Sequence, residues 1–178
     1  MRTVYFHEDD YGQCEVLPLA GWGWCAGQME RSIGFAEEHR TPYGFTDVYR
    51  IDHSEMLPLD SLGLTPERLE RVLSFLPPFD RVESGYATER REVRNMWACG
   101  MHDRMAVYGS IDDVGTVKNL WLASFGDLGE ADRQLLGETL RALGTVAPVL
   151  LADWGRSCCV DLTQNESVDR YLQVLQEE

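Results

Sequence analysis

The chain has 178 residues, 44% of them apolar, and carries 30 acidic against 16 basic side chains, a formal charge of −14. That length suits a single domain able to bury a core without disulfide or metal, and no apolar run is long enough to span a bilayer, since the densest, 146–152, is interrupted by Pro148. A field this negative repels a phosphate backbone, which argues against nucleic acid, and attracts a basic protein; solubility is the plainer use of the same charge.

The chain opens MRTVYFHEDD, with acidic residues where a signal peptide would be apolar, so a cytoplasmic location is expected. Five cysteines, odd in number and irregular in spacing, predict reduced and mostly buried thiols rather than a disulfide framework.

In chain order, Arg2 to Phe6 and Cys14 to Leu19 read as the two strands of a hairpin across the polar HEDDYGQ segment. Gly21-Trp22-Gly23-Trp24 reads as a turn, and Met29, Ile33 and Ala36 sit at helical spacing over Gln28 to His39. Thr46 to Ile51 is expected to be a strand. A helix follows, capped by Thr65 with Pro66 in its first position, stapled by Leu64 and Leu69, and stopped by Pro77-Pro78. Asp80 to Tyr86 suggests a strand and Thr88 to Arg94 a charged connection. Met105 to Ser110 and Val117 to Phe125 pair across a turn made by Asp112, Asp113 and Gly115.

The last third has the clearest pattern. Glu130 to Leu143 reads as a helix ended by Gly144, and Val149 to Trp154 as a buried strand. Ser157 to Leu162 alternates, with Cys158, Val160 and Leu162 on one face. Thr163 and Glu166 have capping-box spacing for a final helix that buries Val168, Tyr171, Leu172 and Leu175. The expected class is α+β, a mainly antiparallel sheet with three to four packed helices, in one domain over 1–178 with a possible subdomain split near 77–90.

Chemistry has few footholds. His7, Glu8, Asp9 and Asp10 form the densest polar cluster; on a strand His7 and Asp9 share one face, Glu8 and Asp10 the other, and such carboxylates can serve as acid and base or simply solvate a hairpin tip. Cys99 and His102 have a zinc-like spacing, but no second pair completes a tetrahedral set, so no metal and no cofactor are expected. The phosphate-cradling, dinucleotide, nucleophile-elbow and metalloprotease motifs are missing. Of five tryptophans, Trp121 and Trp154 lie in strand patterns and read as core, whereas Trp22, Trp24 and Trp97 are candidates for an exposed binding surface.

The pattern Leu150-Leu151-x-Asp153-Trp154, Val160-Asp161-Leu162, Val168-x-Arg170-Tyr171-Leu172 resembles the tail of small acidic bacterial proteins of the toxin-immunity type. The resemblance covers the C-terminal strand-hairpin-helix segment only. It implies a non-catalytic protein that blocks a basic partner, with no catalytic residues to carry over. The binding surface expected from the sequence is then His7 to Asp10 with the exposed tryptophans, and acids gathered on one face from that hairpin and from Asp153, Asp161 and Asp169. The alternative is a small enzyme using His7 to Asp10 or Cys99 with His102.

Overall fold

The computed structural model describes residues 1–7, 13–86, 89–101, 104–124 and 129–177. In chain order these form β1 (Thr3–His7), β2 (Cys14–Pro18), α1 (Trp22–Glu38), the short β3 (Arg40–Thr41) and β4 (Gly44–Phe45), α2 (Pro66–Val72), β5 (Arg81–Tyr86), β6 (Glu89–Glu92), β7 (Met96–Met101), β8 (Met105–Ile111), β9 (Val117–Ser124), α3 (Glu130–Val146), β10 (Val149–Asp153), β11 (Cys158–Asp161) and α4 (Asn165–Glu177). The class is α+β with mostly antiparallel sheets. No described helix is long and apolar enough to cross a membrane.

The framework is a six-stranded sheet in the order β11-β10-β2-β9-β8-β7, antiparallel at every junction. Strand β10 reads Val-Leu-Leu-Ala-Asp and all five residues are buried, as expected of a strand covered on both faces. One face packs under α2, α3 and α4. There Val16, Leu120, Leu122, Leu151 and Val160 meet Leu69, Leu73, Leu140, Leu143 and Val168. Thr65 caps α2 through Oγ1, which accepts from the Arg68 N–H, while Leu64 and Leu69 are both buried, as the staple requires.

The opposite face has two covers. Helix α1 lies over Leu17, Leu150 and Ala152, with Cys25 and Met29 facing them. A separate three-stranded sheet, β1-β5-β6, covers the rest, with Val4, Phe6 and Val82 against Ala98, Ala106, Tyr108 and Trp121. Tyr108 and Trp121 stack at 5.3 Å, and Phe6 meets both rings edge-on.

This arrangement corrects the N-terminal hairpin. Strand β1 pairs parallel with β5, from Thr3 opposite Arg81 to His7 opposite Gly85, while β2 pairs with β10 and β9 in the other sheet. The two strands differ in kind. β1 alternates, with Val4 and Phe6 buried and Tyr5 and His7 half-buried, so it lines one face; β2 ends in three consecutive buried residues and belongs inside a sheet.

Six further expectations change. Helix α1 begins at Trp22, where a turn was expected, continuing a 3-10 turn over Leu19–Gly21. The segment 46–51 is irregular, and part of the charged connection is the fully exposed strand β6. Strand β7 was not anticipated; its outer side is met by the chain at Pro77 to Phe79, through Gly100 N–H to Pro77 O and Phe79 N–H to Ala98 O. Gly144 does not end α3, which runs on to Val146. A Cβ there would lie 1.8 Å from the Leu162 carbonyl oxygen, so this glycine permits close packing rather than a turn. Thr163 forms no capping box either: its hydroxyl and N–H both donate to Asp161 Oδ1, at 2.6 and 2.9 Å.

Candidate functional site

Among the described residues, the sequence-expected binding residues lie on separate elements, β1, α1 and β7. His7 is half-buried at the end of β1, its ring edge-on to Tyr86 at 4.8 Å, and Glu8, Asp9 and Asp10 lie outside the described residues. Trp97 is core, 8% exposed, with its indole N–H donating to Glu70 Oε1 at 2.9 Å. Trp22 and Trp24 diverge, because two positions along a helix turn the side chains far apart. Trp22 is 40% exposed at the start of α1. Trp24 is half-buried against Trp154, its N–H donating to the Asp52 carbonyl.

Of the thiol alternative, the structure describes one member. Cys99 is buried in β7, and burial, with Glu70 nearby, pushes its thiol up to about 12, far from a nucleophile's range. His102 lies outside the described residues. Among the described residues no cluster of His, Cys, Asp and Glu is arranged to hold a metal.

The expected acidic face also changes. Asp153 is buried at the end of β10, 1% exposed. Its Oδ2 accepts from the Tyr171 hydroxyl at 2.8 Å and from Arg156 Nη1 at 3.3 Å, and its Oδ1 from the Arg156 N–H at 3.0 Å. Burial and this carboxylate raise Tyr171 above its ordinary range, and the same two causes lift the neighbouring Cys14 thiol to about 12. Asp169 is exposed but paired with Arg141, and Asp161 is half-buried. The signal for Asp153 was present in the sequence: an acid that continues a fully apolar strand is placed to be buried.

Two features not anticipated from the sequence have more to offer. One is a cleft of about 440 Å³ around the outer strand β11, lined by Trp22, Arg156, Cys158, Cys159, Arg170 and Tyr171 among others. The other is an arm formed by residues 40–57, running from β3 to the start of the next 3-10 turn. It is anchored from beneath by α1: the Tyr49 hydroxyl donates to Gln28 Oε1 at 2.7 Å, and Gln28 Nε2 and Trp24 Nε1 both donate to the Asp52 carbonyl. Gln28 is itself buried. Above this polar anchor the arm holds Tyr43, Phe45 and Val48 outward, at 101, 64 and 77% exposure. The exposed acids Glu37, Glu38, Asp47 and Glu55 lie on or beside it.

Compared with protein-family models, curated proteins and solved structures, the chain matches none.

Proposed function

We propose that this chain is a non-catalytic binding protein of the immunity type, which engages a basic protein partner through the arm at 40–57. The observation that carries the reading is the arm itself. Large apolar side chains exposed on a monomer mark interaction surfaces when they gather rather than scatter, and here Tyr43, Phe45 and Val48 fall within six residues. The segment that follows them is tied to the buried Gln28 at Tyr49 and Asp52, which reduces the ordering cost of binding. Acids flank them, and the chain's charge of −14 favours a cationic partner.

A tyrosine and a phenylalanine would supply the apolar centre of such an interface and the acids its rim. The acids speed encounter with a basic partner, and the aromatics slow its release.

The test is co-purification from the native cell followed by association kinetics at low and high salt. The expected partner is basic. Its association slows with salt, and Tyr43→Ala with Phe45→Ala weakens binding by tenfold or more through faster release. A partner whose binding ignores both salt and the arm variants would overturn the reading.

A further inference from the structure

Around the outer strand lies a group of sulfurs that the binding reading does not use. Cys25 and Met29 are one helical turn apart on α1 and face the sheet. Cys159, on β11, points at both: its Sγ lies 3.2 Å from Cys25 Sγ and 3.5 Å from Met29 Sδ. Cys25 is fully buried, whereas Cys159 is half-buried and lines the cleft beside Arg156 and Arg170.

We infer that Cys159 and Cys25 form a reversible dithiol–disulfide site, in which Cys159 takes the first oxidation from hydrogen peroxide and Cys25 resolves it. Access assigns the order: of the two, only Cys159 lines the cleft. The hydrogen bond shared by the two thiols acts in the same sense. It holds Cys159 below the ordinary thiol range and, together with burial, pushes Cys25 up.

The chemistry balances without a cofactor. The Cys159 thiolate attacks one peroxide oxygen; an S–O bond forms, the O–O bond breaks, and the departing hydroxide takes a proton and leaves as water. The Cys25 sulfur then attacks the sulfenic sulfur; the S–S bond forms, the S–O bond breaks, and the hydroxyl leaves as a second water with the Cys25 proton. Two thiols lose two electrons, and the peroxide gains them. Closing the bond needs the sulfurs to approach by about 1.2 Å, to the disulfide distance of about 2.05 Å. Strand β11 can give, because it is hydrogen-bonded to a neighbour on one side only.

The geometry also excludes the competing pair. Cys14 and Cys158 sit opposite Asp153 from its two sides, on β2 and β11. Two strand spacings, about 9.6 Å, therefore separate their backbones, beyond the reach of a disulfide.

The test treats the reduced full chain with a stoichiometric amount of hydrogen peroxide, blocks remaining thiols under denaturing conditions, and maps the products by mass spectrometry. Cleavage after Glu15 separates Cys14 from Cys25, and the Cys158→Ser variant removes ambiguity on β11. The expected result is a mass lower by two hydrogens, a Cys25–Cys159 linkage, and recovery of both thiols with dithiothreitol. In Cys25→Ser the oxidised Cys159 should persist as a sulfenic acid trapped by dimedone. Five alkylatable thiols after peroxide, or a linkage through Cys14 or Cys158, would overturn the assignment in the unmodified chain, whatever the variants do.

Discussion

The Tyr171 hydroxyl donates to Asp153 Oδ2 at 2.8 Å inside the core, joining the last helix to the fully buried strand β10. A carboxylate taken out of water is tolerable only where donors replace the water, and here Tyr171 and Arg156 supply them. Tyr171→Phe removes one donor and leaves the carboxylate buried. The expected cost is about 1.5–3 kcal/mol, the range for a hydrogen bond to a charged group. Asp153→Ala leaves both partners without their acceptor and should cost at least as much. Urea denaturation measures both; two values within about 0.5 kcal/mol of the parent would show that the pair contributes nothing.

Gly144 offers a sharper contrast. If it merely ended a helix, alanine would cost little beyond a turn preference. Because its missing Cβ would meet the Leu162 backbone oxygen at 1.8 Å, Gly144→Ala must push α3 from the segment that follows β11. The expected loss is at the upper end of overpacking, about 3 kcal/mol or more. Gly137→Ala is the control: there the nearest atom, at 2.6 Å, is the movable Leu172 Cδ1, and the loss should be clearly smaller. Equal Tm shifts for the two variants would contradict this packing.

What the sequence made legible follows from locality. The final strands, the α2 cap and the Asp112 turn depend on neighbours a few residues away, and they appear as expected; Asp112 Oδ1 accepts from the Val114 and Thr116 N–H groups. The N-terminal pairing depends on which distant strand offers an edge, and β1 found β5 nearly 80 residues on. The expected hairpin followed from adjacency alone. The candidate site was harder still. Trp97 and Asp153 were read as surface residues because tryptophan and acid are residue types that bind, yet each sits in a strand whose neighbours are buried. The thiol pair joins positions 134 residues apart, which no local pattern reveals.

Glu15 should make stability depend on pH. Burial raises its carboxyl above the ordinary 4.5, outweighing the hydrogen bond it accepts from Trp154 Nε1 at 2.7 Å. An acid whose folded pKa is raised favours folding below its unfolded pKa, and that contribution is lost as pH rises through the folded value. Glu15→Gln keeps an acceptor for Trp154 and removes the buried charge. The variant should therefore be more stable than the parent at pH 7, with the gain shrinking as pH falls toward 4.5. A gain that is flat or larger in acid would reverse the assignment.

Thiol labelling separates the cysteines by environment. With thiols at about 12, Cys14 and Cys99 are ionised to only about one part in ten thousand at pH 8. Iodoacetamide on the native chain should mark β11 first and leave Cys99 unmarked until denaturant unfolds the sheet. Early labelling of Cys99 would mean that β7 opens locally, and that the covering segment at Pro77 to Phe79 is not closed in solution.

The last prediction concerns the anchor beneath the arm. Gln28 accepts from Tyr49 and donates to the Asp52 carbonyl, so Gln28→Ala cuts two hydrogen bonds while leaving the exposed aromatics in place. Arg40 and Arg50 are exposed in the arm and are sites for trypsin. Cleavage requires local opening, and its rate follows the free energy of that opening. At about 1 kcal/mol for each bond, the variant should be cut between about five and thirty times faster at these two arginines. Arg141, on the packed helix α3 and paired with Asp169, serves as the internal control for global unfolding. Faster cutting at Arg40 and Arg50 alone would place the effect in the arm. A rise at all three sites together would mean that Gln28 supports the whole core, and an unchanged rate would mean that the arm is held by something other than this anchor.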